Sequence, residues 1–137
     1  METKSRTEEG LIKGVGLILI VDDEPIMRKI MINVLKNSGY RVISAENGDQ
    51  AVEFFQKHMQ DIRLVVLDLL MPNKSGKETF LELKQIRPDV KVLLVSGNKK
   101  DQSIREMLNL GVRGFLSKPF TFPQLSEAVF DAILSLP

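Results

Sequence analysis

Three carboxylates, one hydroxyl and one ammonium stand where apolar runs of this chain give out. Asp22 and Asp23 follow "LILIV", Asp68 closes "LVVLD", Ser96 ends "VLLVS", and Lys118 stands two residues beyond Leu116. A lone carboxylate at the end of a run as apolar as Leu64–Leu67 is costly to bury unless something pairs with it. Brought to one rim, three carboxylates repel one another until one protonates or a cation joins them. Hard oxygen ligands with open water positions suit Mg2+ or Mn2+, bound by one or two carboxylates together with phosphate oxygens. Such an ion makes the rim hospitable to a phosphate that bare carboxylates would repel. The chemistry that follows is phosphoryl transfer, with Asp68 as the nucleophile. Lys118 would supply a point charge and the Ser96 hydroxyl a hydrogen bond to the phosphoryl oxygens.

That convergence requires the run ends to share one edge of a sheet. Short apolar runs recur at 17–21, 42–43, 64–67, 90–95 and 112–116, as suits strands covered on both faces. Helical spacing fills the intervals. Pro25 opens a segment with Ile26, Met27, Ile30, Met31, Val34 and Leu35 on its inner face, and Asn47 caps one with Ala51, Val52, Phe54, Phe55 and Met59. Ser75 precedes Phe80, Leu81, Leu83 and Ile86; Asp101 precedes Ile104, Met107 and Leu108; the last helix starts near Thr121 and carries Leu125, Ala128, Val129, Ala132 and Ile133. Five strands alternating with five helices predict an α/β fold, a parallel sheet with helices on both faces and right-handed crossovers. Ligands of such sheets bind beyond the carboxyl ends of the strands, where the strand order reverses. Residues 1–16 hold six charges and three glycines with no apolar period, and read as a flexible leader or linker remnant before a domain at 17–137.

Composition narrows the function. Nineteen Lys and Arg against 18 Asp and Glu give a net charge of +1, so no charge excess points to nucleic acid or a membrane surface. With no cysteine, disulfides, thiolate metal sites and cysteine nucleophiles are excluded. No apolar run is long enough to span a bilayer and no signal-peptide core is present, so a cytoplasmic domain is the expectation.

The stretches "LILIVDDEP", "LVVLDLLMPNKSG", "VKVLLVSG" and "GVRGFLSKPF" together resemble the receiver domains of two-component response regulators. The resemblance runs from Leu17 to about Leu134, with 45 residues from Asp23 to Asp68, 28 more to Ser96 and 22 more to Lys118. It implies a flavodoxin-like fold of strand order 2-1-3-4-5, and Asp68 as acceptor of a phosphoryl group from a histidine kinase or histidine phosphotransfer domain. It further implies that Asp23 and Asp68 bind Mg2+ directly, that Asp22 acts largely through water, and that the Leu70 backbone carbonyl completes the set. The bond before Pro119 would be cis. Ser96 would be the switch hydroxyl and Phe115 the switch aromatic, biasing a face made by helix four, strand five and helix five. That face is also the expected surface of a homodimer. Leu70 and Asn98 border the path of hydrolytic water: apolar Leu70 cannot orient a water and Asn98 can, so an intermediate phosphate lifetime is expected.

No turnover of an external substrate is expected beyond the domain's own phosphorylation and dephosphorylation. Two settings fit, a stand-alone regulator or the receiver module of a larger protein such as a hybrid sensor histidine kinase. A flavin-binding flavodoxin would want a Ser/Thr/Gly-rich phosphate loop where this chain has "DDEP". An aspartate-nucleophile phosphatase would want an acid where Leu70 stands. A degenerate receiver acting only by protein contact would lack part of the five-residue set. His58, the single histidine, reads as a surface residue; Lys99 and Lys100 read as a solvated loop beside the cleft, with donor docking as the alternative.

Overall fold

Side chains alternate across a strand, and in the central strand both alternations are apolar. β1 (Leu17–Val21) is therefore buried along its whole length. It lies between β2 (Arg41–Ala45) and β3 (Ile62–Asp68), followed by β4 (Val92–Ser96) and β5 (Gly114–Ser117). All pairings are parallel and the order is β2-β1-β3-β4-β5, the flavodoxin-like arrangement. The computed structural model describes residues 4–135.

The five helices divide between the two faces. Leu19, Val21, Val65 and Leu67 point to one side, against Ala51 and Phe55 of α2 (Gly48–His58), Phe80 and Leu83 of α3 (Gly76–Ile86), and Ile104 and Met107 of α4 (Gln102–Asn109). Ile18, Ile20, Leu64 and Val66 point to the other, against Met31, Val34 and Leu35 of α1 (Pro25–Asn37) and Leu125 and Val129 of α5 (Phe122–Leu134). Edge strand β2 is covered less completely than the other long strands.

The expected caps form. Asn47 accepts from the Gln50 amide, Asp101 from that of Ser103, and Thr121 makes a reciprocal capping box with Gln124. Ser75 forms the same box with Glu78 and starts α3 just past the loop that follows Asp68. Ser75→Ala is expected to lower unfolding stability by about 1 kcal/mol in urea titration, because the Glu78 amide loses its acceptor. An unchanged midpoint would show that the box contributes nothing.

Three expected core residues face solvent instead. Ile26 is 76% exposed, and Leu81 and Leu108 are also exposed. Ile26 lies in the first turn of α1, off the stripe formed by Met27, Met31, Val34 and Leu35. Strand limits moved as well: β4 begins at Val92 rather than Val90, and β5 spans Gly114–Ser117 rather than 112–116.

The larger difference is at the N-terminus. Residues 1–3, like 136–137, lie outside the described residues, but 4–16 pack against the fold rather than forming a free leader. Arg6 and Ile12 bridge as a short antiparallel pair. Leu11 and Ile12 are buried, and the Ile12 amide donates to Ser126 Oγ of α5 at 2.8 Å. Ser126 Oγ lies 3.2 Å from Ser38 Oγ, and the Gly14 amide donates to the Ser38 carbonyl at 2.7 Å. Two apolar residues among charges and glycines carry no period, so the pattern gave no sign of this burial.

Candidate functional site: an acidic cleft where the strand order reverses

The register assembles the site. Val21 pairs with Leu67, so the next residues, Asp22 and Asp68, emerge side by side from β1 and β3. Asp68 pairs with Val95, which sets Ser96 one step beyond; Ser96 pairs with Ser117, which sets Lys118 one step beyond that. The chain leaves β1 for β2 on one side and places β3 on the other. The carboxylates thus sit at the switch point of the sheet.

Asp22 is fully buried, with Oδ1 accepting from the Glu24 amide at 2.9 Å and Oδ2 from Lys118 Nζ at 3.1 Å. The same Nζ stands 3.7 Å from Asp68 Oδ2. Asp68 is 5% exposed, and the hydrogen bond it accepts, from the Leu70 amide, is long at 3.4 Å. Its carboxyl is pushed up to about 6, first by burial and then by the charge of Asp22, with Lys118 pulling the other way. Burial works against the Lys118 ammonium, yet Asp68 and Asp22 outweigh it and hold its pKa above the ordinary value.

Carboxylate oxygens of Asp22, Asp23 and Asp68 all lie within 4.8 Å of one another. Three carboxylates face one ammonium, and Asp68 is buried with weak local partners. This is the imbalance that a hard divalent cation corrects, and the all-oxygen donor set fits Mg2+ or Mn2+.

Ser96 is buried, with Oγ accepting from the Asn98 amide at 3.1 Å, and its carbonyl accepts from the Lys118 amide at 2.8 Å. The Lys118–Pro119 bond is cis. Phe115 is half-buried against the face that carries α2, α3 and α4. Leu70 is 56% exposed; Asn98 is exposed and its Oδ1 accepts from the Lys100 amide at 3.2 Å. Lys99 and Lys100 border an open groove with Ile104 and Leu108 of α4. His58 is exposed at the C-terminal end of α2.

Two neighbours of the site went unread in the sequence. Arg28 of α1 donates to the Asp22 carbonyl at 2.7 Å; as the first cation on an otherwise apolar turn of α1, it was a usable signal. Gly76 opens α3 against the Asp68 carbonyl, a closeness that only the fold creates.

A five-stranded sheet of this order with acids at its switch point defines a phosphoacceptor-type signalling module, and residues 18–130 match the response regulator receiver domain family. The chain belongs to that family and is a receiver domain of two-component signalling. It is 34% identical over 113 residues to the chemotaxis protein CheY of Bacillus subtilis, covering 82% of this chain and 92% of that protein. It is also 33% identical over 122 residues to the sensor kinase CckA of Brucella abortus, covering 89% of this chain but 13% of the kinase. Among solved structures, a response regulator receiver domain protein from Clostridium thermocellum superposes with a TM-score of 0.82 at 28% identity, covering 86% of this chain and 94% of that one. The response regulator TrrA of Thermotoga maritima, in complex with Mg2+–BeF, gives 0.76 at 32% identity, covering 85% and 98%. No helix among the described residues is long and apolar enough to cross a membrane.

Proposed function

We propose that Asp68 accepts a phosphoryl group from a phosphohistidine of a histidine kinase or histidine phosphotransfer domain. A carboxylate oxygen of Asp68 attacks phosphorus in line, the phosphorus–nitrogen bond breaks, and the imidazole leaves carrying a proton from solvent. The observation that carries this reading is the buried, weakly partnered Asp68 carboxylate, 3.7 Å from Lys118 and clustered with Asp22 and Asp23. Asp22, Asp23 and Asp68 would hold a Mg2+ ion, with the Leu70 carbonyl as a further oxygen, and the ion would neutralise charge on the phosphoryl oxygens. The Mg2+–BeF complex of the Thermotoga relative supports this assignment. Lys118 meets a phosphoryl oxygen as a point charge, and Ser96 turns its hydroxyl towards another.

Movement of Ser96 opens space for Phe115, biasing the face made by α4, β5 and α5 towards an active form that contacts a downstream protein, a tethered domain or a second copy. Leu70 and Asn98 set the access and orientation of hydrolytic water. The setting we propose is cytoplasmic, with the hybrid sensor kinase favoured as the larger protein; the match to CckA supports it. Incubation with acetyl phosphate and Mg2+ is expected to add one phosphoryl group of about 80 Da to the intact mass. The adduct should be absent with EDTA and from Asp68→Asn. No adduct under any condition would overturn the assignment and leave a receiver that acts by protein contact alone.

A further inference from the structure

The opposite edge of the sheet carries the opposite charge. Arg41 starts β2, Arg63 is the second residue of β3, and Lys91 and Arg113 immediately precede β4 and β5. Part of the reason is local. Helix C-termini end at this edge with unsatisfied carbonyls, and cations near them are favoured. Lys91 Nζ donates to the Ile133 carbonyl at the end of α5, and Arg87 Nη1 to the Met59 carbonyl that caps α2.

Helix capping does not account for the whole arrangement. Between the entrances of β3 and β4 lies a cavity of about 200 Å3, lined by Gln60, Arg63, Arg87, Asp89, Lys91 and Ile133 among others. Three cations there face one carboxylate, and Asp89 is already engaged by Arg87 Nε at 3.0 Å. Arg87 is fixed in place: Nε meets Asp89, and Nη1 meets the Met59 and Ile62 carbonyls. Its Nη2 has no acceptor among the described residues. Arg63 is exposed and holds the Val15 carbonyl through Nη1 at 3.0 Å, which leaves its Nε and Nη2 without acceptors among the described residues. Burial, Arg113 and Arg63 together depress the Lys91 ammonium, so positive charge is in excess at this spot.

We propose that this cavity is an anion site for a phosphate or diphosphate group. Arg63, held through Nη1, presents its Nε–Nη2 edge for bidentate contact with phosphate oxygens, Arg87 adds a single donor through Nη2, and Lys91 adds a point charge. The cavity has the space of roughly six waters, which admits one or two phosphate groups. It is separate from the acidic cleft: Arg63 and Asp68 are five residues apart on one extended strand, about 16 Å.

Amide NMR of the whole chain, in EDTA so that the acidic cleft holds no divalent ion, tests this with inorganic pyrophosphate at constant ionic strength. Saturable shifts are expected at Gln60–Leu64 and Arg87–Val92, with binding weakened roughly tenfold in both Arg63→Gln and Lys91→Gln. A parallel titration with ADP separates the sources. Binding equal to pyrophosphate assigns free phosphate, and tighter binding with added shifts at Ile133 assigns a nucleoside diphosphate. Shifts reproduced by sodium chloride, confined to the Asp68 rim, or unaltered in both variants would overturn the proposal. The amide spectra of the variants report their folding in the same experiment.

Discussion

Asp68→Asn is expected to unfold at a higher temperature than the parent chain near pH 7.5 in EDTA, by up to about 3 kcal/mol of stability. The carboxyl ordinarily titrates at 3.8 and is raised to about 6 in the fold. Between those values the folded chain keeps a proton that the unfolded chain has released. Whatever stability the protonated form provides is therefore complete below the lower value and lost as pH rises through the upper one. At neutrality, folding must hold an ionised Asp68 against burial and Asp22. An amide of the same shape removes that opposition while leaving the Lys118–Asp22 pair in place. Scanning calorimetry should show the advantage of the variant shrinking as pH falls towards 4, where both chains carry a neutral group. Added Mg2+ should stabilise the parent more than the variant. A variant no more stable than the parent at neutral pH in EDTA would mean that Asp68 is not opposed by its surroundings. The expected gain, by contrast, identifies the reactive group as a cost that the fold bears for function.

Gly76→Ala offers a second large effect, in which two rules give opposite signs. Gly76 is the first residue of α3, and alanine in a helix is favoured over glycine by about 1 kcal/mol. Here, however, a Cβ would stand 2.5 Å from the Asp68 carbonyl oxygen and 2.7 Å from Leu69 Cα, both backbone atoms in a buried stretch. Backbone held by sheet pairing cannot yield as a side-chain tip can: the Leu69 amide donates to Val95, and the Gly76 amide to the Leu69 carbonyl. Overpacking of this kind outweighs propensity, and a net loss of about 2–3 kcal/mol is expected in urea titration. Relief comes by moving the end of β3, so the yield of phosphoryl adduct should fall in the fraction that stays folded. A neutral or stabilising outcome would show that the loop after Asp68 is more compliant than its contacts imply.

The sheet was legible because each central strand is an unbroken apolar run, and the order followed once the resemblance was recognised. The five site residues were legible for the same reason: each polar group stands at the point where a run stops. What was not legible depends on tertiary placement rather than on local period. Leu11 and Ile12 are buried by contact with Ser126 and the α5 side, which no local pattern encodes. Ile26 matched a helical spacing yet projects outward, because a stripe counted from sequence is wider than the sheet that covers it. The cation at each of four strand entrances was visible, but its meaning was not. Only the parallel pairing sets Arg63 and Lys91 on one edge, with Arg87 arriving between them from the end of α3.

The packed N-terminal segment also decides how the domain can be wired into something larger. Lys4 Nζ sits 3.1 Å from Asp131 on α5, so the two ends of the described chain run beside one another on a single flank. Attachment points at Lys4 and at the end of α5 lie side by side on the domain, like the two pins of a plug. The domain can thus be spliced between other units or hung from one of them by either end, while the cleft around Asp68 stays turned away from both attachments and open to whatever delivers its charge.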